Sequence, residues 1–391
     1  MPPFKPSIGK LVVKAEAEWK EARRGVIADR AEWWRSYLLR DGGGIGFDIV
    51  EYLPEYVQIL ELHARRTLGS FAPGFTAQTP PLVLELGAGT GNLTKRLLSG
   101  GAKIIATDLV ADALCVTRSK LGADIARFVT DVVDLEGSPW LAMKRFISGD
   151  LPNAIILAER IPGVQRSVLA AILEHDDDDV HGILRGHDID QEAFARRTKL
   201  PAAHARMLKD LNMFAKVVAG RLDSEAARGA FGFLPPSLLD GNKGLRQSDA
   251  SVDAVTSSFV LSYLTHPEDT LAEAWRVLRP GGTLVVSSMV TDSDSSRMYL
   301  DLVSKLEQLP EADLPAGTTD PAKTRVDLAN AARQFVEHAA QLFRLEEEGQ
   351  FRFYTPEALT SLVARRGFID ISVERAFGTP PQAIVVTCRK P

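Results

Sequence analysis

The segment Glu85-Leu86-Gly87-Ala88-Gly89-Thr90-Gly91 stands between an apolar run, Leu82 to Leu86, and a helical pattern built on Leu93, Leu97 and Leu98. Glycines at this spacing let a chain turn sharply and bring its backbone against a ligand that any Cβ would block, and the helix behind them presents unpaired N–H groups. A second apolar run, Lys103 to Thr107, ends on Asp108, where a carboxylate can accept two ribose hydroxyls. Gly87, Ala88, Gly89, Thr90, Gly91 and Asn92, with Asp108 and Leu109, are therefore expected to hold a nucleoside-containing ligand. The competing reading is a tight turn with no ligand. Glu85 discriminates among nucleosides, because it would repel a pyrophosphate but suits an ammonium group. Asp131, expected directly after a third apolar run from Ala126 to Thr130, can accept from an adenine amino group, with Val132 packed on the ring. Ser257 and Phe259, at the end of a later run, either line the same crevice or fill the core.

The elements that must position these residues follow from periodicity. Runs at 82–86, 103–107 and 126–130 alternate with helical patterns after Gly91 and over 111–121, which predicts a parallel sheet covered on both faces. A fourth strand is expected at Val252 to Ser257, a helix at 267–278 carrying Leu271, Ala274, Trp275 and Leu278, and a fifth strand at Thr283 to Ser288 after Pro280-Gly281-Gly282. Thr355-Pro356 opens a further helix as N-cap and first residue. Two apolar strands, Asp370 to Ala376 and Ala383 to Arg389, close the chain as an antiparallel pair. Ahead of the sheet, 15–40 and Glu55 to Leu68 read as helices. Residues 136–248 break the rhythm: helical patterns at Val164 to Leu173 and Met207 to Val218 surround a polar centre, and Asn153 to Ala158 fits helix or strand.

Glu85 to Gly91, Asp108, Thr130-Asp131-Val132, Ser251 to Leu264, Glu273 to Leu284 with its Arg276-Val277-Leu278-Arg279-Pro280-Gly281-Gly282, and Tyr354 to Phe368 occur in an order that resembles the class I S-adenosylmethionine (SAM)-dependent methyltransferases. The likeness is to the ubiquinone/menaquinone-biosynthesis-like small-molecule group. It implies an α/β fold with a Rossmann-like seven-stranded, mostly parallel sheet ending in an antiparallel hairpin. To this the chain adds N-terminal helices and a large helical insertion between strands 3 and 4. SAM is the implied cofactor and S-adenosylhomocysteine (SAH) the product. The expected organisation is an N-terminal helical cap over 1–78, a methyltransferase core over 79–135 and 249–391 with a helical lid at 290–350, and the insertion at 136–248. The connection at 136–248 is far longer than the family's and the N-terminal 75 residues match nothing in it; these parts, with the helices at 290–350, are expected to enclose the methyl acceptor.

Methyl transfer from a sulfonium demands proximity and alignment more than acid or base chemistry. His266 and Tyr263 are the residues expected to assist; His266 alternatively caps a helix. Asp292 and Asp294 read as solvated loop residues, and Tyr354 also falls near the crevice. Trp33, Trp34 and Tyr37 either form an aromatic lid or pack the N-terminal helix. His175, Asp176 to Asp179, His181 and His187 fit no standard ligand spacing, so no metal is expected.

With 46 Lys and Arg against 51 Asp and Glu and a net charge of −5, the chain of 391 residues lacks the field of a phosphate-backbone binder. Cys115 and Cys388 cannot form a disulfide framework. The Asn/Asp-Pro-Pro-Tyr segment of amino-methylating nucleic-acid enzymes is replaced here by Ser257-Ser258-Phe259-Val260. The expectation is a cytoplasmic enzyme acting on a small, apolar or aromatic acceptor, with no nucleic acid or membrane partner and with the insertion able to serve homo-oligomer formation. A macromolecular methyltransferase, or a SAM-binding protein that transfers no methyl group, are the competing readings.

Overall fold

The computed structural model describes residues 30–39, 46–69, 79–135, 139–147, 199–223, 244–264, 266–294, 296–315, 317–347 and 352–391, with scattered residues between 182 and 227. The sequence patterns at 15–29, 153–158 and 164–173, and the histidines and aspartates from His175 to His181, lie outside the described residues, as does the Trp33 side chain. The chain divides into two compact units, one comprising 1–29 and 134–246, the other 30–133 and 247–391.

The larger unit is a seven-stranded sheet in the order β3-β2-β1-β4-β5-β7-β6. Its strands are β1 (Leu82–Leu86), β2 (Lys103–Asp108), β3 (Phe128–Val132), β4 (Val252–Ser257), β5 (Leu278–Met289), β6 (Ile369–Ala376) and β7 (Ala383–Arg389). The first five pair in parallel; β7 runs antiparallel between β5 and β6. The expected Rossmann-like fold with its C-terminal hairpin is therefore present. Val83, Leu84, Val255, Val285 and Val386 are buried in the central strands, the continuous apolar pattern that a sheet covered on both faces requires.

The helices of this unit are α1 (Arg30–Leu38), α2 (Pro54–Gly69), α3 (Asn92–Ser99) and α4 (Ala111–Ser119) ahead of β3. The others, after a smaller unit containing α5 (Pro139–Ile147) and α6 (Ala202–Val218), are α7 (Pro267–Val277), α8 (Ser296–Glu307), α9 (Pro321–Glu347) and α10 (Pro356–Ala364). α2 buries Tyr56, Ile59, Leu60 and His63 at helical spacing. Thr355 Oγ1 caps α10 by accepting the Ala358 N–H, with Pro356 in the first turn, as the sequence leads one to expect. Lys390 donates to the Trp275 and Leu278 carbonyls at 2.8 and 2.7 Å and lies 4.0 Å from the Trp275 ring centroid, which ties the chain's end to the last turn of α7.

Three expectations need correction. The third strand begins at Phe128, because Gly122–Arg127 winds into a 3-10 helix in which Arg127 pairs with Asp124 at 2.5 Å. Asp131 therefore lies inside β3, opposite Thr107, and not behind it. The helix expected over 111–121 ends at Ser119, where the chain tightens toward that 3-10 segment. The fifth strand starts at Leu278: Val252 pairs with Leu278 and Ala254 with Thr283, so Arg279 to Gly282 loop out as a bulge opposite Asp253. Gly281 takes φ +78 there and donates its N–H to the Lys390 carbonyl.

In the smaller unit, α6 buries Met207, Leu208, Leu211 and Phe214, and Trp140 of α5 meets Phe214 edge-on at 6.1 Å. His187 is exposed and its carbonyl accepts from Asn212 Nδ2 at 3.1 Å. Among the described residues no cluster of three His, Cys, Asp or Glu side chains is placed to hold a metal, and no helix is long and apolar enough to cross a membrane.

Candidate functional site

The glycine segment turns from β1 into α3 with Gly87, Gly89 and Gly91 at φ +68, +54 and +84. Such φ values strain any residue with a Cβ, so the loop's path follows from its glycines. A Cβ on Gly87 would fall 2.3 Å from Val260 Cγ2, and one on Gly91 2.3 Å from Thr117 Cγ2, because the loop is pressed between the segment after β4 and helix α4. Thr117 Oγ1 reinforces that packing by donating to the Gly89 carbonyl at 3.0 Å.

Asp108, at the end of β2, accepts the Gly89 N–H at 2.7 Å through one carboxylate oxygen and the Val110 N–H at 2.8 Å through the other. Burial pushes its carboxyl up from the ordinary range, and the N–H groups of Val110, Gly89 and Leu109 act against that shift. A carboxylate has about four acceptor sites, so beside these N–H groups it can still take a further donor such as a ribose hydroxyl. Leu109 separates this acid from Val110, which leads into α4.

Glu85 is 2% exposed, and its Oε2 accepts from Thr94 Oγ1 of α3 at 2.6 Å. Burial pushes its carboxyl up to about 8, with the Thr94 hydrogen bond opposing and the Asp108 charge adding to the shift. The side chain is thus anchored beneath the glycine loop. Thr107 Oγ1 donates to the Glu85 carbonyl and Ala88 N–H to the Thr107 carbonyl, both at 2.9 Å, which locks the ends of β1 and β2 together.

On the other side of β2, Asp131 is partly exposed and Val132 is 49% exposed at the sheet's edge strand. Ser257 is buried, with Oγ 3.5 Å from the Leu86 carbonyl. Phe259 adopts φ +60, its N–H bonds Ser287 Oγ at 3.1 Å, and its ring lies 5.9 Å from that of Phe377. A bulky residue held at positive φ in the turn behind a strand is the kind of strain that clusters at functional sites. Ser258 Oγ and Tyr354 Oη are buried without a hydrogen-bond partner among the described residues.

Tyr263 lies in a 3-10 turn, Leu261–Tyr263, and its ring stands 4.4 Å from that of Trp34 in α1. Trp34 meets Tyr37 at 5.5 Å, and Tyr37 lies 6.1 Å from Phe335 of α9, which in turn sits 5.9 Å from Phe47 and 5.2 Å from Tyr299 of α8. Burial pushes the phenols of Tyr37 and Tyr263 well above their ordinary value, and Tyr37 is further affected by Tyr263, Tyr299 and Tyr56. The sequence singled out Trp34 and Tyr37 as lid or packing residues; Phe47, Tyr299 and Phe335 carry no local signal, because only packing brings α8 and α9 to α1. His266 is the N-cap residue of α7 but makes no side-chain capping bond; its Nδ1 is 3.4 Å from Glu268 Oε1. Asp292 and Asp294 are exposed.

Residues 205–286, which include β4, α7 and most of β5, match the family model described as a methyltransferase domain. No curated protein sequence matches the chain. Among solved structures it is similar to a SAM-dependent methyltransferase from Thermotoga maritima, at 13% identity over 88% of this chain and 100% of that one, with a TM-score of 0.36. It is also similar to a SAM-dependent methyltransferase from Archaeoglobus fulgidus, at 11% identity over 88% and 99% of the two chains, with a TM-score of 0.37. A third is a phosphoethanolamine N-methyltransferase from Haemonchus contortus in complex with SAM, at 12% identity and a TM-score of 0.40, covering 92% of this chain but 60% of that one. The glycine loop and the acid ending β2 suit a nucleoside, the mostly parallel sheet with its antiparallel hairpin is the one the resemblance implied, and the domain match covers the later strands: residues 205–286 belong to a methyltransferase domain, which supports a SAM-dependent methyltransferase with SAM as its cofactor.

Proposed function

We propose that the enzyme methylates a small, apolar or aromatic metabolite at O, N or C, in the cytoplasm. The observation that supports this acceptor class is the aromatic cluster of Trp34, Tyr37, Tyr263, Tyr299 and Phe335, drawn from α1, α8, α9 and the turn after β4, against which an apolar acceptor would pack. Leu38 of α1 reaches to 3.4 Å from the position of a Gly89 Cβ, so the helix carrying Trp34 also borders the glycine loop. In this reading residues 1–78 form a cap, 79–135 and 249–391 the catalytic core with a lid at 290–350, and 136–248 an insertion that suits assembly of copies of the chain.

When bound, SAM supplies an electrophilic methyl group on a sulfonium. The chain's part is to bind and orient. Gly87, Ala88, Gly89, Thr90, Gly91 and Asn92 would cradle the cofactor's amino-acid portion beside Glu85, and Asp108 with Leu109 would hold its ribose. Asp131 and Val132 would meet its adenine, and Ser257 and Phe259 its reacting end. Trp34 and Tyr263 would press the acceptor toward the methyl group and exclude water. With its phenol pushed up, Tyr263 stays protonated and serves as a hydrogen-bonding partner, not a base. His266, oriented by Glu268, is the group within this segment suited to take a proton when the acceptor must lose one.

Calorimetric titration with SAH tests the cofactor assignments. Binding by the wild-type protein that is lost in Asp108→Ala supports them; equal affinity in both would sink them. Screening tritiated SAM against size-fractionated extracts then separates a small acceptor from a macromolecular one.

A further inference from the structure

Phe47 and Asp48 lie side by side in the 3-10 helix Phe47–Tyr52, and their side chains serve different parts of the molecule. Phe47 is built into the aromatic cluster, 5.5 Å from Tyr37, 5.8 Å from Tyr56 and 5.9 Å from Phe335. Asp48 grips the glycine loop: its Oδ1 accepts from Thr90 Oγ1 at 2.6 Å and its Oδ2 pairs with Lys120 Nζ at 2.6 Å. Lys120 in turn donates to the Thr90 carbonyl at 2.7 Å and reaches Asn92 Oδ1 at 3.4 Å. The side chain and the carbonyl of Thr90 are thus held by one ion pair, whose partners come from before β1 and after α4. One turn further on, Glu51 pairs with Arg96 at 2.8 Å, and Arg96 donates to the Asn92 carbonyl at 2.7 Å, so the same short helix also grips the first turn of α3.

This ion pair is only partly exposed, with side-chain exposures of 28% for Asp48 and 27% for Lys120. Its partners converge on one backbone residue of a loop whose three glycines leave it free to take other shapes. A flexible loop held in its binding conformation loses less entropy when a ligand arrives, and that difference appears as affinity.

We infer that Asp48 and Lys120 are positioning residues that hold Thr90 and the glycine loop in the cofactor-binding shape, and that Phe47 links this clamp to the aromatic cluster. The inference rests on the reading of the glycine loop as the SAM site. Neither residue needs to touch the cofactor; each acts through Thr90. The link to Phe47 implies that a change in the cluster is felt as a change in cofactor affinity, although its rings stand outside the loop.

The test is SAH titration of the full-length protein, wild type and variants, beside thermal unfolding without ligand. Loss of charge-assisted hydrogen bonds to Thr90 and Lys120 in Asp48→Ala is expected to weaken SAH binding by about tenfold or more. Asp48→Asn, which keeps an acceptor for Thr90 but not the charge, should fall between it and wild type. Lys120→Met should weaken binding comparably, and the double variant should bind no worse than the weaker single, because the two act as one unit. Phe47→Leu should weaken SAH by a smaller factor, about two- to fivefold for a packing change. Unfolding midpoints within about 3 °C of wild type would separate positioning from loss of fold. Wild-type affinity in folded Asp48→Asn and Lys120→Met would overturn the inference, as would additive losses in the double variant. Failure of the wild-type protein to bind SAH would instead overturn the assignment of the loop, and the inference with it.

Discussion

Asp108 accepts the Gly89 N–H at 2.7 Å, so the acid that ends β2 also fixes the middle of the glycine loop that ends β1. A residue in this position braces the protein and, in the proposed function, also serves as an acceptor toward the cofactor. Strand pairing makes this possible: β1 and β2 are adjacent and parallel, with Leu86 opposite Thr107, so their following residues leave the sheet together.

The two roles of Asp108 separate by substitution. Asp108→Asn keeps one acceptor oxygen and is expected to lose SAH affinity by about tenfold, whereas Asp108→Ala loses brace and acceptor and should lose about a hundredfold or more. Titration calorimetry distinguishes these. Equal losses in the two variants would mean that the carboxamide contributes nothing and that charge alone matters.

Gly91→Ala is expected to destabilise the protein by about 1–3 kcal/mol, since it combines a positive φ with an overpacked contact. The new Cβ would stand 2.3 Å from Thr117 Cγ2. Gly101→Ala is the control: φ is +96 but nothing lies within 4 Å of its Cβ position, so it bears backbone strain alone and should cost less. Urea unfolding measures both, and equal destabilisation would argue against crowding at Thr117.

Glu85 predicts a stability that declines with pH. Its folded-state carboxyl is raised to about 8 from an ordinary 4.5, so the folded form holds a proton that the unfolded form releases. The contribution is complete below about 4.5 and is lost as pH rises through about 8. Glu85→Gln should flatten this slope in the unliganded protein. A ligand ammonium that favours the carboxylate should also expel the proton, so the heat of SAH binding near pH 7 should vary with the ionisation enthalpy of the buffer in wild type and not in Glu85→Gln.

His63 predicts the opposite dependence at the acid end. It is buried in α2, with Nδ1 3.2 Å from Thr256 Oγ1, and burial pushes its imidazole down to about 3 from 6.5. The neutral ring is the folded form, so its contribution is present above about 6.5 and is lost as pH falls toward 3. His63→Leu should reduce the loss of stability between those values, as followed by circular dichroism. An unchanged acid profile would show that another group controls it.

The glycine loop and the acid beside it were legible in the linear sequence, because their determinants are local. Three glycines in a strand-to-helix turn have no other economical use than sharp curvature and close approach, and an acid ending the next parallel strand must arrive beside them. The final hairpin was legible for the same reason: two apolar runs flank Gly378-Thr379-Pro380-Pro381. Boundaries were less so. The 3-10 segment Gly122–Arg127 displaced β3 and drew Asp131 inside it, since its Arg127–Asp124 pair and the burial of Phe128 are decided by packing. The same holds for the bulge opposite Asp253, where the Gly281 N–H finds the Lys390 carbonyl at the far end of the chain.

By itself, then, the sequence determined the sheet, its glycine loop and the acid at the end of β2, because hydrophobic period and glycine conformation act over a few residues. Only the tertiary structure decided that Glu85 turns down onto Thr94, that Asp48 and Lys120 close on Thr90, and that Trp34, Tyr263, Tyr299 and Phe335 share one aromatic cluster. Those relationships join residues far apart along the chain, and no local pattern records them; they exist because burying α1, α8 and α9 with the sheet in one core leaves these side chains as neighbours.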